Sequence, residues 1–377
     1  MKPPHGILKS GQEEKVLRPL KGLYGLKPAG RGWYLEMLKV LMRDMGFKRS
    51  HIDHSVFYKK NGHEHIIIAV AMDDMAVTSR RKSDAMKFKS NVRQHWEITD
   101  HGPIQWFLSF EIKRNRESRT ISINEHVYID SMVEKFRLTS AKPVSTPMEP
   151  NAQFTTQQSP STLNQTARMQ GVPYSEAIGS ILWPAVVSHP DVAYAVGILS
   201  QFIQNPGTVH WEGVKRVINY LGTMRELWLT FGGNKKTLLE GYCNVDWASQ
   251  AHRHSISGFA FHYGIRAILW SSHCQALNPN ISHSHMLQKK QSGYRHQCKA
   301  THHIRGQPRV TSANKYHSRT KHIDLQYDFI CEAVDDVKIQ VKCIPTGDNI
   351  ADIFTKSLAK PKFTRFVAML GLGQLSE

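Results

Sequence analysis

The sequence predicts a mixture of α+β and α/β architecture, with two strand-rich regions separated by a helical one. Three observations carry this. Short apolar runs bounded by turn residues lie between residues 56 and 123, helical periodicity runs from 174 to 221, and strand-length runs return from 239. The chain has 377 residues, enough for two or three domains of ordinary size. Its 40% apolar and 21% charged residues exclude a disordered polymer.

Element by element, residues 1–22 are polar and hold Pro and Gly. From Trp33 the apolar positions Met37, Leu38, Leu41, Met42 and Met45 recur at helical spacing, with Gly46 as a stop. Val56–Tyr58 reads as a strand. Ile66–Val70 and Met75–Val77 read as two more, joined by a tight turn at Asp73–Asp74. Trp106–Ile112 and Thr120–Ile123 form a second hairpin around a charged turn, and Ile129–Phe136 a short amphipathic helix. Pro, Ser, Thr, Gln and Asn without apolar period then mark a linker, placed at 151–172. Helices follow at Tyr174–Trp183, Ala193–Phe202 and Trp211–Leu221, with junctions at Pro190-Asp191 and Asn205-Pro206-Gly207. Strands are expected at Leu239–Tyr242, Gly258–Tyr263, Ala267–Trp270 and Ile339–Ile344, and helices at Ile323–Val334 and Ile350–Leu358. Residues 273–312 show neither period.

The charge balance is lopsided. Forty-nine Lys and Arg against 31 Asp and Glu leave +18, with 21 His besides. Such a surplus points to a polyanionic partner, nucleic acid first. It is concentrated, because the 77 positions between Asp246 and Asp324 hold no acid, 11 Lys or Arg and 11 His. Chemistry that needs carboxylates is excluded there. Cys274, His283, His285, His296, Cys298, His302 and His303 raise a zinc reading. Their His-x-His and His-x-Cys spacings lack the paired two-to-four-residue pattern of structural sites, so surface histidines are the stronger reading. Five Cys without a CxxC pair argue against a disulfide scaffold. With no signal-peptide core and no apolar run of about 18 residues, an intracellular place, cytoplasmic or nuclear, is expected without membrane contact.

Adjacent aspartates between two apolar strands repel unless a cation lies between them, as the metals of phosphoryl transfer do. On spacing alone, a solvated turn competes with that reading. The surrounding blocks settle on a resemblance. "LKGLYGLKPAGRGWY", "GFKRSHIDHSVFYKK", "IIIAVAMDDMAV", "WFLSFEIKR" and "KPVSTPMEP", in that order, resemble the reverse transcriptase of copia-type retrotransposons. "YSEAIGSILW", "HPDVAYAVGILSQF" and "HWEGVKRVINYLGT" are similar to the part that follows it. "GYCNVDWASQ", "SISGFAF", "YHSRTKHIDLQYDFI" and "GDNIADIFTKSL" resemble the ribonuclease H domain of the same Pol polyproteins. The match runs over most of residues 10–372 and breaks near 273–312, as compensated frameshifts, a mis-splice or a replaced segment would leave it.

The resemblance implies a partial reverse transcriptase palm and thumb at 1–150 without the fingers. A helical connection at 173–235 and a ribonuclease H-like domain at 236–372, disrupted at about 273–312, follow the linker. The parent activity would be RNA-directed DNA synthesis by two-metal phosphoryl transfer, with Mg2+ as cofactor. Asp73 and Asp74 match the catalytic, metal-binding pair, while Ala71 stands where the family carries an aromatic ring. Lys27, Arg31 and Trp33 lie in the block before the long palm helix, a cationic and aromatic set suited to phosphate contact and base stacking. Trp33 as core, with two solvated cations, remains an equal alternative. The family's third catalytic aspartate belongs to a strand upstream of "LYGLK", before these residues begin, so the expectation is that the chain does not polymerise alone.

Of four family ribonuclease H acids, the first position is taken by Asn244. Asp246 lies about 7 Å further along the same strand face. The second and third fall in the acid-free stretch, and Asp352 matches the last, so Asp246 and Asp352 are the remnants. The leading reading is a truncated, inactive reverse transcriptase/ribonuclease H that binds RNA–DNA hybrid or single strands and works beside other Pol segments. The alternative is a non-catalytic nucleic-acid-binding protein derived from the retroelement.

Overall fold

A computed structural model describes residues 22–23, 25–233, 239–246, 255–264, 266–274, 298–302 and 339–375. The helix expected at Ile323–Val334 and most of the stretch 273–312 lie outside the described residues. The chain divides into two compact units, residues 1–108 and 109–377.

In the first unit, helix α1 (Ala29–Leu38) continues through a wider π-type segment, Lys39–Asp44. It ends at Gly46, whose φ of 72° lets the chain reverse. Met37, Val40, Leu41 and Met45 are buried, while Met42 is exposed. Strands β1 (Lys48–Arg49), β2 (Val56–Asn61), β3 (Glu64–Ala71) and β4 (Asp74–Ser79) form one sheet in that order, each pair antiparallel. Ile66, Ile68 and Val70 of β3 point inward and Ile67 outward, the period-two alternation of a half-buried strand. Helix α2 (Lys82–Arg93) adds Phe88 and Val92 to this core, which also holds Phe47 and Phe57. A short strand, β5 (Trp106–Phe107), follows.

The second unit opens with hairpin β6 (Phe110–Asn115) and β7 (Thr120–Asn124), then helix α3 (His126–Lys135). Strands β8 (Trp228–Gly232) and β14 (Leu372–Gly373) extend this sheet in the order β14-β8-β7-β6. Helices α4 (Leu163–Met169), α5 (Tyr174–Val187), α6 (Ala193–Ser200) and α7 (Thr208–Thr223) lie between in sequence. Val214, Val217, Ile218 and Leu221 of α7 are fully buried, a stripe at i, i+3, i+4 and i+7. A further sheet runs β11-β10-β9-β12-β13, from β9 (Leu239–Asp246), β10 (Ile256–Tyr263), β11 (Arg266–Cys274), β12 (Cys298–His302) and β13 (Ile339–Cys343). Its pairings are all antiparallel, so the described sheets realise the α+β side of the expected mixture. The helical turn Ile350–Phe354 and helix α8 (Lys360–Leu370) close the core. Gly258 is required in β10, because a Cβ there would meet Phe354 Cβ at 2.5 Å.

Two long-range contacts explain departures from the local pattern. Helix α5 runs on through Pro184, where the sequence pattern suggests a stop at Trp183. Proline cannot donate to the Ser180 carbonyl four residues back, and the Tyr128 hydroxyl of α3 donates to it instead, at 3.0 Å. The region read from composition as a linker holds α4 and is tied to α7 through buried His210. His210 Nδ1 accepts from the Gly207 N–H at 2.8 Å and Nε2 donates to the Thr155 carbonyl at 3.2 Å, with the Phe202 ring stacked 3.9 Å away. Both nitrogens are engaged by the neutral ring, and burial holds its pKa below the ordinary 6.5.

Tyr128→Phe is expected to lower stability by about 1 kcal/mol, read as a reduced urea midpoint. His210 is neutral in the folded chain and protonated in the unfolded one below pH 6.5, so the unfolded state binds the extra proton. Its contribution is full above pH 6.5 and is lost as pH falls toward the lowered folded value. Thermal unfolding across pH 7.5 to 5.0 checks this, with a shallower pH slope expected for His210→Gln.

Candidate functional site

The acidic hairpin is built by β3 and β4, paired down to Ala71 opposite Asp74. Only Met72 and Asp73 connect the strands, so the two carboxylates sit consecutively, one in the turn and one on the first residue of β4, both exposed. Met72 takes a φ of 54°, in the left-handed region that side chains rarely adopt, and is 78% exposed. The Trp33 indole N–H of α1 donates to the Met72 carbonyl at 3.0 Å, and its ring leans on Trp96 with centroids 5.2 Å apart. Trp33 is therefore half-buried and engaged with the acidic turn. Lys27 and Arg31 are exposed, the first just before α1 and the second in its first turn.

Two of the positions read from the later sequence blocks, Asn244 and Asp352, meet in the second unit. Asp352, in the turn Ile350–Phe354, has no exposed surface. Asn244 of β9 donates from Nδ2 to Asp352 Oδ1 at 2.7 Å and to Thr355 Oγ1 at 2.7 Å. Lys362 Nζ donates to Asp352 Oδ2 at 2.7 Å, and Lys356 Nζ lies 3.0 Å from the same oxygen. It is Asn244, rather than the half-buried Asp246 two residues on, whose side chain meets Asp352. Lys356, Lys362 and Thr355 were not singled out from sequence. Of these only Lys356, four residues after Asp352, carries a local signal.

A third cluster has the composition of a nucleophilic triad without its geometry. Ser188, His189 and Asp191 are each no more than 2% exposed. Ser188 Oγ donates to Glu125 and not to histidine, while His189 Nδ1 lies 3.3 Å from Asp191 and the Tyr220 hydroxyl donates to Asp191. No activated hydroxyl results, and no substrate can reach it. Burial pushes the Glu125 carboxyl and the Tyr220 hydroxyl above their ordinary values. Among the described residues, no three His, Cys, Asp or Glu side chains converge as a metal site, and no helix is long and apolar enough to cross a membrane.

Residues 1–150 match the family model described as reverse transcriptase (RNA-dependent DNA polymerase). Over 99% of its length the chain is 33% identical to the retrovirus-related Pol polyprotein from transposon TNT 1-94 of Nicotiana tabacum, of which it covers 29%. Over 99% of its length it is also 28% identical to the Pol polyprotein from transposon RE1 of Arabidopsis thaliana and 27% identical to that from RE2, covering 26% of each. The chain thus spans less than a third of the length of these relatives. No solved structure matches it.

Trp33→Phe keeps the ring contact but removes the N–H that holds the Met72 carbonyl. It is expected to cost about 1 kcal/mol in urea unfolding. Met72→Gly, which relieves the left-handed residue, is expected to leave that stability unchanged or raised by up to about 1 kcal/mol.

Proposed function

The chain belongs with the Pol polyproteins of copia-type transposons, residues 1–150 carrying their reverse transcriptase module, and from that premise we propose that Asp73 and Asp74 are the metal-holding carboxylates of an RNA-directed DNA polymerase palm. The observation that carries this reading is the placement of two consecutive exposed carboxylates at the tip of a two-residue hairpin braced by Trp33. Two adjacent hard oxygen donors open to solvent suit Mg2+, which keeps several of its waters. When bound, the ion supplies the electrostatic clamp on the attacking and leaving oxygens of phosphoryl transfer. The chain's own residues hold the carboxylates side by side, and Lys27 and Arg31 offer cationic groups for phosphate oxygens.

The 377 residues by themselves bind nucleic acid without extending a primer. Two carboxylates at the tip fall short of the set a two-metal site uses, and no larger acidic cluster supplements them among the described residues. The net charge of +18 supports binding to RNA–DNA hybrid or single strands through phosphates. Residues 236–372 are taken as the ribonuclease H-derived part, with Asp246 and Asp352 its acidic remnants. Other Pol segments are the natural protein partners of such a module.

Primer extension on an RNA template with Mg2+ tests the catalytic half, and no product is expected. Template-dependent product that disappears in Asp73→Asn would overturn it. For the binding half, affinity for a labelled hybrid is expected to fall roughly tenfold or more between 50 and 200 mM salt. A flat salt response would sink phosphate-driven binding.

A further inference from the structure

We propose that Asp352 lies in a cation site filled by the protein itself, the Lys362 ammonium standing where a metal would bind. The Asn244–Asp352–Lys356–Lys362 cluster is then a metal-independent latch rather than a weakened catalytic centre. This inference stands apart from the polymerase reading of Asp73 and Asp74, which concerns the other unit.

The carboxylate is wholly buried, and an ionised carboxylate without water costs several kcal/mol unless it is paired and hydrogen-bonded. Both of its oxygens are satisfied from the chain. Oδ1 takes the Asn244 amide at 2.7 Å, while Oδ2 takes Lys362 at 2.7 Å with Lys356 at 3.0 Å. Lys362 spends a second N–H on the Thr346 carbonyl at 3.0 Å, and its ammonium lies 5.2 Å from the Phe366 ring centroid. The ammonium is therefore held from three sides. With two ammonium groups on one carboxylate, the cluster is already positive, and an entering divalent ion would meet net repulsion. The residues present do not fit a magnesium site.

Asn244 is matched to this arrangement. Its amide directs one N–H to Asp352 and another to Thr355 Oγ1, whose hydroxyl donates back to the Asp352 carbonyl at 3.2 Å. A carboxylate at position 244 would place two anions against each other where the amide now donates. The neutral residue is thus the complement of an ammonium-filled site, beyond being a lost ligand. The latch joins β9, the turn Ile350–Phe354 and α8, and Asn349 adds a bond from its side chain to the Cys243 carbonyl at 3.0 Å.

The test is thermal unfolding of the full chain in an Asp73→Asn, Asp74→Asn background, so that metal at the hairpin tip does not contribute. The parent is expected to melt at the same temperature in EDTA and in 10 mM Mg2+. Asn244→Asp is expected to melt about 5 °C lower or more in EDTA, and Lys362→Met likewise, while Lys362→Arg stays near the parent. In the double variant Asn244→Asp, Lys362→Met, where two carboxylates face the single remaining ammonium of Lys356, 10 mM Mg2+ is expected to recover several degrees that EDTA removes. Should Lys362→Met melt with the parent, the latch is wrong. Equally, a Mg2+-dependent rise in the parent that vanishes in Asp352→Asn would show a genuine metal site and overturn the proposal. The parent's response to Mg2+ needs no variant of the latch, so it is informative even if the latch variants do not fold.

Discussion

A carboxylate with no access to water has to be neutralised by whatever the chain can bring to it, and Asp352 imposes that demand on the second unit. Meeting it draws in β9 through Asn244, and α8 through Lys362. Around it, Ile350, Ile353 and Phe354 of the same turn enter the main core, where Phe354 presses against the glycine of β10. Because a buried ion pair is broken at far greater cost than an exposed one, these elements are held in register by electrostatics as well as by apolar burial. Nearby, Glu125, Ser188, His189, Asp191 and Tyr220 form another buried polar group, joined by the bonds of Ser188 to Glu125 and of His189 and Tyr220 to Asp191.

The first unit answers the opposite problem. Asp73 and Asp74 are not buried, and just before them a single left-handed residue, Met72, turns the chain between β3 and β4. Strain of that kind persists where neighbouring structure fixes it. Here the indole N–H of Trp33 takes the carbonyl of the strained residue, and Trp96 supports the indole in turn. Of the cationic and aromatic set read from the sequence, Trp33 thus has a structural duty in the tip, while Lys27 and Arg31 remain exposed cations. The two carboxylate sites differ in kind: one is exposed at a hairpin tip, the other is buried with its charge met by lysines of the chain.

The charge surplus divides along similar lines. Among the 49 Lys and Arg, Lys356 and Lys362 face the buried Asp352, an acid already counted in the +18. The larger share of the surplus comes from the acid-free stretch after Asp246, most of which lies outside the described residues. The count of cations, more than the net charge, therefore overstates what is free to meet a polyanion.

Much of this was legible without coordinates, because it depends on short-range physics. The alternation of Ile66, Ile68 and Val70 specifies the buried face of β3 and the stripe Val214, Val217, Ile218 and Leu221 that of α7, while the tight turn read at Asp73–Asp74 falls one residue earlier, at Met72 and Asp73. Ordered sequence blocks likewise sufficed for the family. The sequence could not show which partners meet across long separations. Asn244 reaches Asp352 over 108 residues, Tyr128 reaches Ser180 over 52, and Trp33 reaches Met72 over 39. None of these leaves a period or a motif, since a donor and an acceptor need only arrive together in space. For the same reason Asp352, an acid in a familiar block, reads in sequence only as the remnant of a catalytic set. Only the tertiary structure, by bringing two lysines onto it, decided that its counter-ion is part of the chain.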